Sequence, residues 1–174
     1  MPAIYPILFF AALLGWFIYY LRFMPKKQTV EQDEPRRSIS YTPEAGAMSL
    51  DEIDMLNQVN LYRKGKGLSE LKPDRLAKQL ADEHLNYMIN TKFGHDNFES
   101  RSATLINHGA VRVNENVCYG FSTTNSTMHA YIESDGHRGN LEIENVTHIG
   151  IASKKVNNTI WNVQLFVRFQ EKTI

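Results

Sequence analysis

Residues 113–150, VNENVCYGFSTTNSTMHAYIESDGHRGNLEIENVTHIG, carry the pattern that decides the fold and most of the polar chemistry of the chain. The stretch opens with a β-rich run in which Glu115 stands between two asparagines. A helical pattern follows, and His137 then lies on a turn flanked by glycines. Upstream, His95 occupies a second Gly-His turn. A carboxylate and two imidazoles that folding brings together can bind a divalent cation or exchange protons.

The segments on either side predict helices first and strands last. Ser49 and Glu52 have the spacing of a capping box, which predicts a helix that Gly65 and Gly67 end. A second helix is predicted from about Asp74 to before Gly94. Short helices are predicted over residues 101–108 and 126–134, and strands over residues 116–121, 149–156 and 159–169, the last two joined by a turn at Asn157 and Asn158. This order predicts an α+β domain with helices packed on a sheet.

Composition excludes several classes of protein. The 19 Lys and Arg residues balance the 19 Asp and Glu residues, so no nucleic-acid surface is expected. The single cysteine, Cys118, excludes an internal disulfide framework. Side chains alternate along a strand, so Cys118 should face away from Glu115. We therefore expect Cys118 to be a small buried residue rather than a nucleophile.

The first 21 residues predict a membrane anchor. They contain no charged side chain, and a helix of about 20 apolar residues spans the ~30 Å core of a bilayer. Trp16, Tyr19 and Tyr20 lie at the far end of the run, where aromatic rings favour the headgroup region. The alternative is a cleaved signal peptide, but a basic n-region and a small-residue cleavage site are missing. We predict a single transmembrane helix within residues 1–24.

Residues 25–48 mix proline, charge and small polar residues without an apolar period, which predicts a flexible tether to a domain over residues 49–174. Arg22, Lys26 and Lys27 follow the predicted span. Taken alone, the positive-inside rule would place the domain in the cytoplasm.

Several short motifs follow one another in order through residues 49–169. They are LNQVNLYR at 56–63, with Asn60 and Arg63; LSELKPDRLAKQLADEHLNYM at 68–88; FGHD at 93–96; NENV at 114–117; SDGHRGNL at 134–141, followed by THIGIA at 147–152; and WNVQLFV at 161–167. Together they resemble the CAP superfamily of cysteine-rich secretory, antigen 5 and pathogenesis-related 1 proteins, also called SCP-like domains, in its bacterial form.

The resemblance implies a three-layer α-β-α sandwich with an open groove over His95, Glu115 and His137. Asn140 belongs to the second-histidine motif and is expected in the same groove. Many relatives add an acid on the preceding helix, and here Ser134 occupies that place. Glu133 stands one residue earlier, which is a rotation of about 100° along a helix and turns it away.

His95, Glu115 and His137 are the predicted metal ligands. Two imidazoles and a carboxylate can coordinate a divalent cation such as Zn²⁺ or Mg²⁺ weakly and leave a position for water. The alternative is a hydrogen-bonded polar cluster that binds no ion. No other cofactor is expected.

The resemblance also implies an extracytoplasmic habitat and, for most relatives, no settled enzymatic activity. The prediction is a membrane-tethered, non-catalytic module, periplasmic or extracellular, that uses the His/Glu groove to bind a lipid, glycan or protein partner of the cell envelope. Two alternatives remain: a metal-dependent hydrolase of the envelope, and an accessory subunit of a membrane complex.

Overall fold

The computed structural model describes residues 48–170 of the chain. The transmembrane helix predicted within residues 1–24 lies outside the described residues, as does nearly all of the predicted tether. Within residues 48–170, no helix is both long and apolar enough to cross a membrane. The anchor and the domain boundaries therefore stay predictions.

The first helix, α1 (Leu50–Gly65), begins where the capping box predicted. The Ser49 hydroxyl accepts from the Glu52 amide at 3.3 Å, and the Glu52 carboxylate accepts from the Ser49 amide at 2.8 Å. The next helix, α2 (Arg75–Asn90), starts at Asp74, whose carboxylate accepts from the Ala77 amide. Both starts satisfy amide groups that the helices themselves cannot pair.

Three shorter helices follow: α3 (Phe98–Asn107), α4 (Thr124–Glu133) and α5 (Asp135–Leu141). The last of these corrects the prediction of a glycine-flanked turn, because His137 and Asn140 lie on a helix. Asp135 stands in its first turn, where a negative charge is favourable, and Leu141 is completely buried at its end. Burial of Leu141 offsets the weak helix propensity of the two glycines.

The sheet contains β1 (Lys72–Pro73), β2 (Ala110–Phe121), β3 (His148–Val156) and β4 (Thr159–Phe169). The strand order is β1-β3-β4-β2; β1 is parallel to β3, and the other pairs are antiparallel. Asn157 and Asn158 both have positive φ and form the predicted hairpin turn. β2 starts six residues before its predicted beginning at residue 116.

Helices cover both faces of the sheet, which confirms the three-layer arrangement. Cys118 and Phe166 pack on one side, called here the α1/α4/α5 face, with Met55 of α1 and Tyr131 of α4. The other side, the α2/α3 face, is packed by these residues of α2, α3 and the strands: Ala77, Leu80, Leu85, Leu105, Val117, Ala152, Val163 and Leu165. The groove residues lie near β2, at one edge of this sheet.

Candidate functional site

The site centres on the carboxylate of Glu115, whose side chain is only 1% exposed. Arg101 of α3 binds it in a bidentate manner: its Nε donates to Oε2 at 3.0 Å and its Nη2 to Oε1 at 2.9 Å. The Nδ1 atom of His95 also lies 2.9 Å from Oε1. A buried carboxylate is stable only when it is paired in this way, so Arg101 makes the burial of Glu115 tolerable.

Arg101 also holds the turn that carries His95, because its Nη1 donates to the carbonyl of Asp96 at 2.8 Å. The sequence prediction missed this arginine. The sequence held one signal: Arg101 stands four residues before Leu105, on the same side of the predicted helix, and the structure buries both. An arginine on the inward side of an amphipathic helix requires an anionic or carbonyl partner inside the fold.

His95 is the exposed member of the cluster, with 53% of its side chain accessible. A carboxylate accepts hydrogen bonds only, so Nδ1 of His95 must carry the proton that it shares with Glu115. In the neutral imidazole, Nε2 is then the acceptor. Acid and arginine together hold an oriented, half-exposed imidazole at the surface.

His84 of α2 supports the Gly-His turn from below. The ring is buried, and its Nε2 donates to the carbonyl of Gly94 at 2.9 Å while lying 3.9 Å from Glu115 Oε1. Burial lowers the pKa of His84, and the nearby Glu115 opposes this shift only in part. His84 therefore packs against the site without reaching the surface.

His137 and Asn140 approach β2 from α5. The Asn140 amide donates to the Glu115 carbonyl at 3.1 Å and to the Asn116 side chain at 2.8 Å, and Asn116 donates to the His137 carbonyl at 3.1 Å. The His137 ring packs edge-on against Tyr131, with 5.1 Å between centroids. Burial lowers the pKa of His137, with a smaller lowering from His95.

Two of the three predicted metal ligands, His95 and Glu115, are in contact. Among residues 48–170, no three His, Cys, Asp or Glu side chains lie close enough to hold an ion together. Arg101 also occupies both carboxylate oxygens of Glu115, and a cation would have to displace it. As arranged here, the donor set does not fit Zn²⁺ or Mg²⁺, and a bound cation stays a prediction.

The remaining candidates lie at the junction of α4 and α5. Ser134 is half-buried there and its carbonyl accepts from the Arg138 amide. Glu133 is exposed over 70% of its side chain and lies 3.4 Å from His129.

Cys118 is buried on the opposite face from Glu115, as strand alternation predicted, and burial raises the pKa of its thiol to about 11.

A sheet between two helical layers, with a Gly-His turn over a buried acid on β2, matches the architecture that the motifs imply. The model of the cysteine-rich secretory protein family, CAP, matches residues 56–166, and the chain belongs to this family. No curated protein sequence matches the chain significantly.

Solved structures agree on the fold. An outer surface protein of Borrelia burgdorferi superposes with a TM-score of 0.61 at 20% identity, covering 69% of this chain and 93% of that one. An extracellular SCP-domain protein of Bacillus anthracis has a TM-score of 0.61 at 22% identity and covers 71% and 45%. A cysteine-rich secretory protein of Staphylococcus aureus has a TM-score of 0.58 at 22% identity and covers 68% and 38%. The match spans less than half of the Bacillus and Staphylococcus chains.

Proposed function

We propose that this protein is a non-catalytic CAP-domain binding module, tethered to a membrane by residues 1–24, with its domain on the extracytoplasmic side. The observation that carries the binding role is a network of hydrogen bonds in which Arg101 and His95 both contact the Glu115 carboxylate. This network fixes a half-exposed imidazole over an acid that Arg101 neutralises. Binding of a ligand costs little free energy of reorganisation, because the imidazole is already oriented.

The same hydrogen-bond network argues against the hydrolase alternative. To act as a metal ligand or general base, the buried Glu115 carboxylate would have to give up its ion pair with Arg101, which contacts both of its oxygens. Cys118 does not supply a nucleophile either, since it is buried and its raised pKa keeps it as a thiol.

The extracytoplasmic side is supported by the relatives of similar fold, which include an outer surface protein and an extracellular protein. The membrane anchor is supported by the uncharged run at the start of the sequence. Lipid, glycan and protein partners of the envelope all belong to this proposal, and the accessory subunit of a membrane complex stays a separate alternative.

Photo-crosslinking in living cells tests the binding role. A photoreactive amino acid replaces Asn97, an exposed residue beside the His95 turn, and a matched control carries it at the exposed Gln79 of α2. We expect adducts from position 97 that disappear when His95→Ala is added, and no such adducts from position 79. Metal-dependent turnover of an envelope peptide or lipid by the purified protein, abolished by His95→Ala, would instead establish the hydrolase.

A further inference from the structure

Three aromatic side chains form a half-exposed group on the α2/α3 face, called here the aromatic strip: Phe93, Tyr119 and Trp161. Tyr119 and Trp161 are cross-strand neighbours on β2 and β4, and their rings stack with centroids 4.7 Å apart. Phe93, from the loop after α2, leans on Tyr119 at 4.6 Å. Phe93 is 39% and Tyr119 48% exposed. Adjacent aromatic rings left open to water in this way indicate a contact surface.

Polar groups lie at both ends of the aromatic strip. Lys154 of β3 is the cross-strand neighbour of Trp161, is exposed, and makes no ion pair with any residue between 48 and 170. At the other end, His95 follows Phe93 by two residues. Glu115, beneath His95, shares a strand face with Tyr119 four residues away, which corresponds to about 13 Å. Lys154 and Tyr119 are two strand spacings apart, about 10 Å.

The ligand must complement three different groups over this distance. Nε2 is the His95 ring nitrogen that does not face Glu115, and it requires a hydrogen-bonding partner such as a hydroxyl or an amide. The aromatic strip requires a flat apolar face, and Lys154 requires an acceptor oxygen. An acyl chain offers no hydrogen-bond donor. A pyranose ring combines a face of C–H groups with a rim of hydroxyls.

We propose that the aromatic strip, His95 and Lys154 form an oligosaccharide-binding surface. Sugar rings pack against the aromatic strip, a hydroxyl or N-acetyl group forms a hydrogen bond with His95 Nε2, and Lys154 donates to a ring substituent. The inference rests on the proposed binding function and gives its site a class of ligand. The distances along the strand and across the sheet correspond to two or three linked sugar rings rather than one.

Calorimetric titration of the full chain with a hexamer of N-acetylglucosamine, and separately with an oligomer containing uronic acid, tests this surface. We expect binding of at least one probe, weakened about tenfold by Phe93→Ala or Tyr119→Ala, which corresponds to about 1.4 kcal/mol. The uronic probe should bind more tightly than the neutral one if Lys154 meets its carboxylate, and Lys154→Ala should remove that difference.

Matched controls lie close by. Lys155→Ala removes the neighbouring lysine, whose Nζ donates to the Ser122 carbonyl, and should leave sugar binding unchanged. Leu61→Ala removes an exposed apolar side chain from α1 and should also have no effect. Phe93 lies on a loop, so Phe93→Ala keeps the test valid even if a change on β2 or β4 impairs folding; circular dichroism checks this.

Two results would overturn the inference. The first is sugar binding that Phe93→Ala and Tyr119→Ala leave unchanged. The second is no binding of either sugar at millimolar concentration, which includes the case where the aromatic strip instead binds vesicles of anionic phospholipid. The proposed function is judged separately, because His95-dependent adducts from position 97 would survive either result.

Discussion

At the residue scale, the pairing of Glu115 with Arg101 is the contact that any bound cation would have to displace. The acid was predicted as a ligand because its residue type and strand position fit that role. Its actual partner comes from α3, 14 residues earlier in the chain, and no local motif links the two. Sequence patterns can identify the side chains that carry chemistry. They identify the neighbour that neutralises such a side chain less readily, because the neighbour of Glu115 depends on how α3 packs on β2.

Arg101→Leu should therefore destabilise the domain strongly. It leaves a carboxylate buried without its counter-ion, a change that typically costs about 3–5 kcal/mol. Urea denaturation followed by circular dichroism measures the loss. Adding Glu115→Leu should recover much of it, because the orphaned charge is then gone. The control is Lys92→Ala, which breaks an exposed pair with Asp96 and should cause no measurable change. Equal stability of Arg101→Leu and Lys92→Ala would refute the structural role of the pair.

His84 should make stability depend on pH. Burial lowers its pKa in the folded protein, whereas in the unfolded chain the imidazole titrates near pH 6.5. Between these two values the unfolded state binds more protons, so stability is full above about pH 6.5 and falls as the pH drops toward the folded pKa. One such proton contributes at most about 1.4 kcal/mol per pH unit.

The test compares urea denaturation from pH 7.5 to pH 5 for the wild type and His84→Gln, whose amide can still donate to the Gly94 carbonyl. We expect a shallower slope in the variant. A residual slope should remain, because burial also lowers the pKa of His137 and His148. The exposed His108→Gln serves as the control and should keep the wild-type slope. Unchanged slopes in both variants would remove His84 from the acid response.

At the element scale, the most accurate predictions of element boundaries came from local sequence motifs. Ser49 and Glu52 fixed the start of α1, and the paired asparagines fixed the β3–β4 turn. The start of α3 was placed three residues late, because Asn97 precedes it in a left-handed conformation and makes no side-chain cap. The first half of β2 was missed because the exposed Arg112 depends on pairing with Arg168 of β4, a contact distant in sequence, and Val111 lies at an irregularity in that pairing.

The contact between α2 and β3 depends on Gly150. A Cβ atom at this position would lie 2.1 Å from the Ala77 carbonyl carbon. This atom belongs to the backbone of α2, which cannot move aside by a change of rotamer as a side chain can. Gly150→Ala should push α2 away from the sheet and cost at least the 1–3 kcal/mol typical of overpacking.

Gly139→Ala on α5 provides the matched control. No atom lies within 4 Å of its added Cβ, and alanine is the better helix former by about 1 kcal/mol. Thermal denaturation should show a lower Tm for Gly150→Ala and an equal or higher Tm for Gly139→Ala. A Gly150→Ala protein as stable as the wild type would mean that the α2–β3 packing is looser than the structure shows.

At the scale of the whole molecule, membrane orientation brings two physical arguments into opposition. Arg22, Lys26 and Lys27 follow the uncharged run, and positive charge on that side favours a cytoplasmic domain. The bias is small, however, and long downstream domains are translocated largely regardless of charge. The proposed extracytoplasmic function of the CAP domain requires the opposite side.

We therefore expect the domain to be reachable from outside the cell. Leu61→Cys places a thiol on the exposed surface of α1, and a membrane-impermeant maleimide should label it in intact cells or spheroplasts. The wild type is the control, because its only cysteine, Cys118, is buried and protonated and should react little. Protease acting on residues 26–47 should release the domain under the same conditions.

The protease and the maleimide are blocked by different obstacles, so the two results together distinguish a shielded domain from a cytoplasmic one. A bound partner that shields residues 26–47 would block the protease but not the small maleimide on α1. If neither probe reacts until the membrane is lysed, and both react afterwards, the three basic residues determine the topology and the domain is cytoplasmic. That outcome would refute the extracytoplasmic placement, whereas sugar binding by the purified protein would still be decided by the calorimetric titration.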